Sequence, residues 1–232
     1  MTISNESRGR IKKIFEPIAL GMGRLGLTPD GLTLIGFGIT IVGAGLLAAQ
    51  LWLVGGIVVF IGGVFDMFDG TLARATGAVS PLGAFMDSVF DRWGEAIVYL
   101  GIVAGLVASG WAESAILAAA AMGMAFMVSY TRAKSEGLGF TAGTGMAAIG
   151  VMPREIRLVI LSLALILTGV LGLANAPGDS AFFPFDIGSA PSALLVLDAA
   201  LAIIAIGSII TVIQRILHVR SQARSAATTT TH

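Results

Sequence analysis

The sequence predicts an all-α integral membrane protein: six transmembrane helices preceded by an N-terminal amphipathic interfacial helix. Three observations carry that prediction. The 232 residues are 56% hydrophobic and only 12% charged, with mean hydropathy +0.91, whereas an ordinary soluble domain is about 25% charged. Six apolar stretches are each long enough for the ~20 residues that cross a bilayer. All fourteen Lys and Arg residues fall in the N-terminal arm, the hairpin region of spans two and three, the connection of spans four and five, or the C-terminal end.

The elements follow in order. Residues 1–31 form a cytoplasmic or interfacial arm. Within it Arg8, Arg10, Lys12, Lys13 and Arg24 mix with Ile11, Ile14, Phe15, Ile18, Leu20 and Met22. That pattern suits an amphipathic helix at the interface, interrupted near Pro17. Leu27-Thr28-Pro29-Asp30 is a helix start signal. Residues 32–217 form the membrane domain, with spans near 32–53, 55–76, 82–108, 112–135, 153–174 and 190–217. The Thr76–Pro81 turn makes spans two and three antiparallel neighbours. Residues 218–232 read as a low-complexity, disordered cytoplasmic tail. The connections near 53–55, 109–112 and 175–189 contain no Lys or Arg. The positive-inside rule then puts both termini on the cytoplasmic side. Trp52, Trp93 and Trp111 sit near expected interfaces, and the 31 glycines, Gly101 and Gly105 among them, suit close helix packing.

Composition also excludes. There is no cysteine, hence no disulfide, thiolate metal site or Cys nucleophile. The first 30 residues lack a signal-peptide pattern. His218 and His232 are isolated. Net charge is zero and names no partner.

Against this apolar background five acids stand together: Asp66, Asp69, Asp87, Asp91 and Glu95. A carboxylate at membrane depth costs roughly 2.5–3.5 kcal/mol even on the gentlest scale. Asp66 and Asp69 are spaced i, i+3; Gly83, Asp87 and Asp91 are spaced i, i+4, i+8. Each set shares one helical face. Two helices thus offer two carboxylates each to a shared cleft. Oxygen-only ligands suit Mg²⁺ or Mn²⁺, and four aspartates could hold two ions, the clamp for in-line phosphoryl displacement. Gly70 and Gly83 leave room at the backbone, and Arg74 offers a planar cation to phosphate. The bland alternative, satisfied interhelical polar pairs, sets five acids against only Arg74 and Arg92 nearby.

The stretch D-x-x-D-G-x-x-A-R, eight residues, then G-x-x-x-D-x-x-x-D resembles the signature of the CDP-alcohol phosphotransferase family. Every position is present: Asp66, Asp69, Gly70, Ala73, Arg74, Gly83, Asp87 and Asp91. The six-span pattern is similar to that family too. The resemblance implies that a CDP-linked lipid donates its phosphatidyl-type group to an alcohol and that CMP leaves. It implies that Asp66, Asp69, Asp87 and Asp91 hold two metal ions, and that Asp91 is also the general base. It implies CDP-lipid contacts at Asp30, Thr33, Asp66, Asp69, Gly70, Ala73, Arg74, Ser80 and Gly83, and a homodimer. No Ser or His is placed as a covalent nucleophile, which favours direct displacement.

A basic set bears on the acceptor: Arg132 and Lys134 at the end of span four, Arg154 and Arg157 at the start of span five, and Arg215 at the end of span six. Converging cations suit a phosphate on the acceptor, although basic residues at cytoplasmic helix ends are also the default topology signal. The wording S-Y-x-x-A-x-x-E, R-x-x-R-L-x-I and the late Gln214-Arg215 resemble the branch of phosphatidylinositol-phosphate and archaetidylinositol-phosphate synthases. That likeness implies inositol 1-phosphate as acceptor, bound by Arg132, Arg154 and Arg215, and extends to Lys134 and Arg157. Glycerol 3-phosphate would explain the same cations. From another class, a divalent-cation transporter would need acids along a through-path, but the opposite loops offer only Asp179 and Asp186. A lipid-binding scaffold would have no use for Asp91 beyond three metal-holding carboxylates.

Overall fold

The computed structural model describes residues 5–140, 149–175 and 191–229. They form seven helices: α1 (Asn5–Arg24), α2 (Pro29–Ala48), α3 (Trp52–Thr76), α4 (Pro81–Ala108), α5 (Ala112–Gly137), α6 (Arg154–Asn175) and α7 (Pro191–Thr229). Local chemistry sets several boundaries. The Thr28 hydroxyl accepts from the Gly31 amide at 3.1 Å and caps α2, with Pro29 at the first helical position. Ser80 caps α4 in the same way through the Gly83 amide at 3.0 Å, followed by Pro81. Gly77, at φ 70°, closes α3 with a left-handed cap that a side chain would strain.

The helices α2, α3, α5, α6 and α7 are long and apolar enough to cross a membrane. By that criterion five helices qualify where the sequence predicts six. Of the other two helices, α4 has 28 residues, ample length, but it carries Asp87, Asp91, Arg92 and Glu95. Its place among the others makes it the sixth stave of the bundle. Neighbouring helices close a ring: α2 packs on α3 and α4, α3 on α6, α6 on α7, α7 on α5, and α5 on α4. The connections alternate, so the start of α2, the end of α3, the start of α4, the end of α5, the start of α6 and the later part of α7 gather at one end.

Helices α3 and α4, joined by the Thr76–Pro81 turn, bring Asp66, Asp69 and Asp87 together. Both pack chiefly on α2 rather than on each other. Glycines explain the choice. A methyl group on Gly55 of α3 would meet Leu47 of α2, and one on Gly101 or Gly105 of α4 would press on the α2 backbone at Ala44 or Leu47. Where glycine removes the side chain, backbones approach and dispersion contacts are gained. The short turn between Thr76 and Pro81 keeps the aspartate-bearing ends of α3 and α4 together beside α2.

Three further features differ from the sequence reading. Helix α1 runs unbroken through Pro17. It is held by tertiary burial, Ala19 packing with Leu32, Phe68 and Leu72, and Phe15 lying 5.2 Å from the Phe68 ring. That burial offsets the one amide that proline removes. Helix α7 continues to Thr229, beyond the expected span end at 217. Residues 218–229 contain no Pro or Gly to stop it, and His218 and Gln222 pair at 3.0 Å one turn apart. Residues 230–232 of the expected tail, and 176–190 of the expected external loop, lie outside the described residues. Trp52, expected at an interface, is fully buried in the core with Leu47, Leu106 and Leu165. Trp93 is 60% exposed.

The glycine contacts generate a test. Gly101→Leu, which forces atoms against the α2 backbone, should destabilise the fold by about 1–3 kcal/mol. Gly123→Ala, at a position with open space around it, should leave stability unchanged or slightly raised. Thermal unfolding of both purified variants in one detergent checks the contrast.

Candidate active site

Three carboxylates of α3 and α4 converge beside α2. One oxygen each from Asp66, Asp69 and Asp87 lies within 4.8 Å of the others. Asp69 is the most buried of them, 5% exposed, and is oriented by Thr33 of α2, whose hydroxyl donates to Oδ2 at 2.5 Å. This donor set, all oxygen and all anionic, fits a hard divalent cation and offers nothing to a soft one. Asp91, the fourth predicted ligand, stands one turn deeper on α4. Its Oδ1 is 2.6 Å from Arg154 and its Oδ2 is 3.5 Å from Arg92. The same Arg154 Nη1 donates to Asp66 Oδ2 at 2.6 Å. A single guanidinium of α6 therefore ties the acids of α3 to those of α4.

Two openings meet at this cluster. The first is a cleft of about 250 Å³ between α2, α3 and the start of α4. Asp30, Thr33, Asp69, Gly70, Ala73, Arg74, Ser80 and Gly83 line it. These are all the residues the resemblance assigns to the CDP-lipid except Asp66, which borders a small inner cavity between α2, α3, α4 and α6. Two glycines form the floor. A methyl group on Gly70 would sit 3.1 Å from the Arg74 guanidinium, and one on Gly83 would sit 3.1 Å from the Ser80 hydroxyl and 3.6 Å from Asp30. Ser80 faces this cleft while also capping α4, so its hydroxyl serves the helix before any ligand.

The second opening is a cavity of about 680 Å³ between α4, α5, α6 and α7. Asp87 lines both openings, and Asp91 lines the second. Arg132, Arg154, Arg157 and Arg215 line it as well. Their engagements differ. Arg132 is exposed and pairs with Glu136 at 2.9 Å, one turn on. Arg215 is 3% exposed; its Nε donates to the Ile149 carbonyl at 3.0 Å and its Nη1 to the Val128 carbonyl. Arg157 is 1% exposed and donates to both Glu95 oxygens, at 2.8 and 2.9 Å, and to the Met152 carbonyl at 3.0 Å. Its donors are engaged within the protein. Lys134 is exposed and lies outside the lining.

Sequence reasoning assigned no role to Arg92 or Glu95. Arg92 lines the cavity, donates to the Ser129 hydroxyl at 2.6 Å and pairs with Glu95 at 3.1 Å. The available signal was spacing: Asp91, Arg92 and Glu95 fall within one turn of α4 at a depth where charge demands a partner.

Comparisons with known proteins place this geometry. Residues 26–176 match the family model described as CDP-alcohol phosphatidyltransferase. An archaetidylinositol phosphate synthase of Pyrococcus horikoshii is 36% identical over 163 residues, 70% of this chain and 82% of that protein. A phosphatidylinositol phosphate synthase of Streptomyces avermitilis is 30% identical over 228 residues, 97% of this chain and 85% of that protein. The crystal structure of the Mycobacterium tuberculosis phosphatidylinositol phosphate synthase with CDP-DAG bound is similar at TM-score 0.69 and 29% identity, covering 89% of this chain and 94% of that one. Its complex with manganese and citrate is similar at TM-score 0.70 and 28% identity, covering 88% of each chain.

The Thr33–Asp69 hydrogen bond generates a test. Removing a group that orients a metal-binding carboxylate typically costs 10–100-fold in metal affinity. Thr33→Val should therefore raise the Kd for Mn²⁺, read by electron paramagnetic resonance titration, by at least tenfold. An unchanged Kd would show that Asp69 needs no such support.

Proposed function

From the premise that the chain belongs to the CDP-alcohol phosphatidyltransferase family, we propose that it transfers the phosphatidyl-type group of a CDP-linked lipid to a hydroxyl of inositol 1-phosphate, releasing CMP. The chain is a multi-pass membrane transferase that acts on a CDP-lipid and an alcohol acceptor and uses a divalent metal. In the finer reading the donor is CDP-diacylglycerol or CDP-archaeol, and two Mg²⁺ or Mn²⁺ ions are held by Asp66, Asp69, Asp87 and Asp91. The observation that carries this reading is the meeting of two differently built openings at Asp87. One has a glycine floor and Arg74, and the other has arginines and Asp91.

In this reading the CDP moiety occupies the smaller cleft. Gly70 and Gly83 let the diphosphate approach the backbone, Arg74 pairs with phosphate, and Asp30, Thr33, Ala73 and Ser80 border the nucleotide. Bound divalent cation neutralises the diphosphate and stabilises the departing CMP. The acceptor enters through the larger cavity, its phosphate on Arg154, Arg132 and Arg215. Lys134, exposed outside that lining, and Arg157, committed to Glu95, are left out of this set. Arg154 touches Asp91, so a phosphate bound there brings the acceptor ring, and with it a hydroxyl, toward Asp91. Asp91 takes the hydroxyl proton as the oxygen bonds to the lipid-side phosphorus and the bond from that phosphorus to the CMP oxygen breaks. No covalent enzyme intermediate is required. The Lys and Arg distribution supports placing both termini and the site on the cytoplasmic side, and the homodimer implied by family resemblance belongs to the same reading.

CMP release by purified protein tests the proposal with CDP-lipid, Mg²⁺ or Mn²⁺ and separate acceptors: inositol 1-phosphate, free inositol, glycerol 3-phosphate and serine. Inositol 1-phosphate alone should support release, and chelation by EDTA should abolish it. Release with another acceptor instead would discard the assignment of Arg132, Arg154 and Arg215 to inositol phosphate. Asp91→Asn should preserve CDP-lipid binding while lowering turnover by roughly 10²–10⁴-fold, the typical contribution of a general base. Full turnover in that variant would remove Asp91 from the role.

A further inference from the structure

Helices α4 and α6 face each other across the ring without packing along one another. Two charged rungs span the gap. Asp91 and Glu95, one turn apart on α4, meet Arg154 and Arg157, one turn apart on α6. The outer rung, Asp91–Arg154, belongs to the reaction centre. The inner rung is of another kind. Glu95 receives the Arg157 fork at both oxygens, 2.8 and 2.9 Å, and its Oε2 also accepts from Arg92 at 3.1 Å. Arg157 completes its set on the Met152 carbonyl at 3.0 Å, just before α6 begins. Arg92 reaches on to Ser129 of α5 at 2.6 Å. One carboxylate therefore fastens α4 to α6 directly and to α5 through Arg92, beneath the larger cavity. A planar guanidinium bound in two places fixes angle as well as distance. Helix α6 is otherwise held by α3 and α7, so this fork is the direct tie between its first turn and α4 beside the Asp91–Arg154 pair.

We infer that Glu95 is a positioning residue for the acceptor: by clamping Arg157 and Arg92 it sets the α6 N-terminus, and so holds Arg154 against Asp91 at the acceptor cavity. The inference rests on the proposed acceptor role of that cavity. It gives Arg157 a structural task in place of a phosphate. It also separates the two substrates physically, since the cleft lined by Asp30, Gly70 and Arg74 is built from α2, α3 and the start of α4 and does not depend on α6.

The test exploits that separation. Glu95→Gln keeps the side-chain volume and removes the charge; Arg157→Lys keeps the charge and removes the fork. Each should raise the apparent KM for inositol 1-phosphate at least tenfold. The KM for CDP-lipid should stay within twofold. The double variant Glu95→Gln/Arg157→Gln should be no worse than Glu95→Gln alone, as coupled partners require. Wild-type acceptor KM in both single variants overturns the inference. So does an equal rise in both KM values, or loss of folding in every variant, because the pair would then support the whole bundle.

The wild-type enzyme in the same assay tests the acceptor reading separately. If only glycerol 3-phosphate supports turnover, that reading fails and the KM comparison is made with glycerol 3-phosphate. A readout independent of activity uses the absence of native cysteine. Spin labels on Leu100→Cys of α4 and Val159→Cys of α6, both exposed positions, should give a narrow distance distribution that Glu95→Gln shifts or broadens. An unchanged distribution overturns the inference whatever the substrate.

Discussion

Acids inside a membrane bundle must be neutralised where they stand, and the rest of this protein is arranged around that constraint. Water cannot reach them freely, and an unpaired carboxylate at that depth is costly. The bundle meets the demand in two ways. Asp66, Asp69 and Asp87 are brought close enough for their mutual repulsion to favour a bound divalent cation. Asp91 and Glu95 are answered by guanidinium groups of α6. Arg154 connects the two solutions because it touches both Asp66 and Asp91. Charge balance thus fixes which helices face each other before any substrate is considered.

Glycine makes that arrangement possible. Residues of α3 and α4 that face α2 are bare at Gly55, Gly101 and Gly105, so α2 sits close to both. Other glycines bring α3 against α6: a methyl group on Gly56 would meet Leu165, and one on Gly63 would meet Leu158.

Much of this was legible in the chain. The signature spacing placed Asp66, Asp69 and Asp87 together, and the nucleotide-side residues fell around one cleft apart from Asp66. Local periodicity suffices for those, because neighbours on one helix face stay neighbours when the helix packs. What was not legible depends on partners distant in sequence. Arg157 looked like a phosphate ligand because it shares a face with Arg154, yet Glu95, 62 residues away, claims it. The packing of α3 and α4 on α2 depends on which of their glycines face it. Pro17 predicts a break only if tertiary burial cannot offset it, and Phe68 and Leu72 supply that burial. Trp52 carries the mark of an interfacial residue but ends in the core, because Gly105 leaves a space for its ring.

The placement of charge also decides between catalysis and ion passage. A transport path needs groups that can replace water along its whole length. Beyond Glu95 and Arg157 the small inner cavity is bordered by Val98, Tyr99 and Leu161, and Ile102 and Leu106 of α4 and Leu165 of α6 are fully buried in the apolar core. Asp198, the acid of α7, pairs with Ser114 of α5 at 2.9 Å, near the start of both helices and at the end opposite the acidic cluster. Among the described residues the acids therefore end at a packed apolar floor. A closed floor beneath two openings that meet at one carboxylate suits two substrates that enter separately and react in place. It does not suit a cation that must leave by the other side.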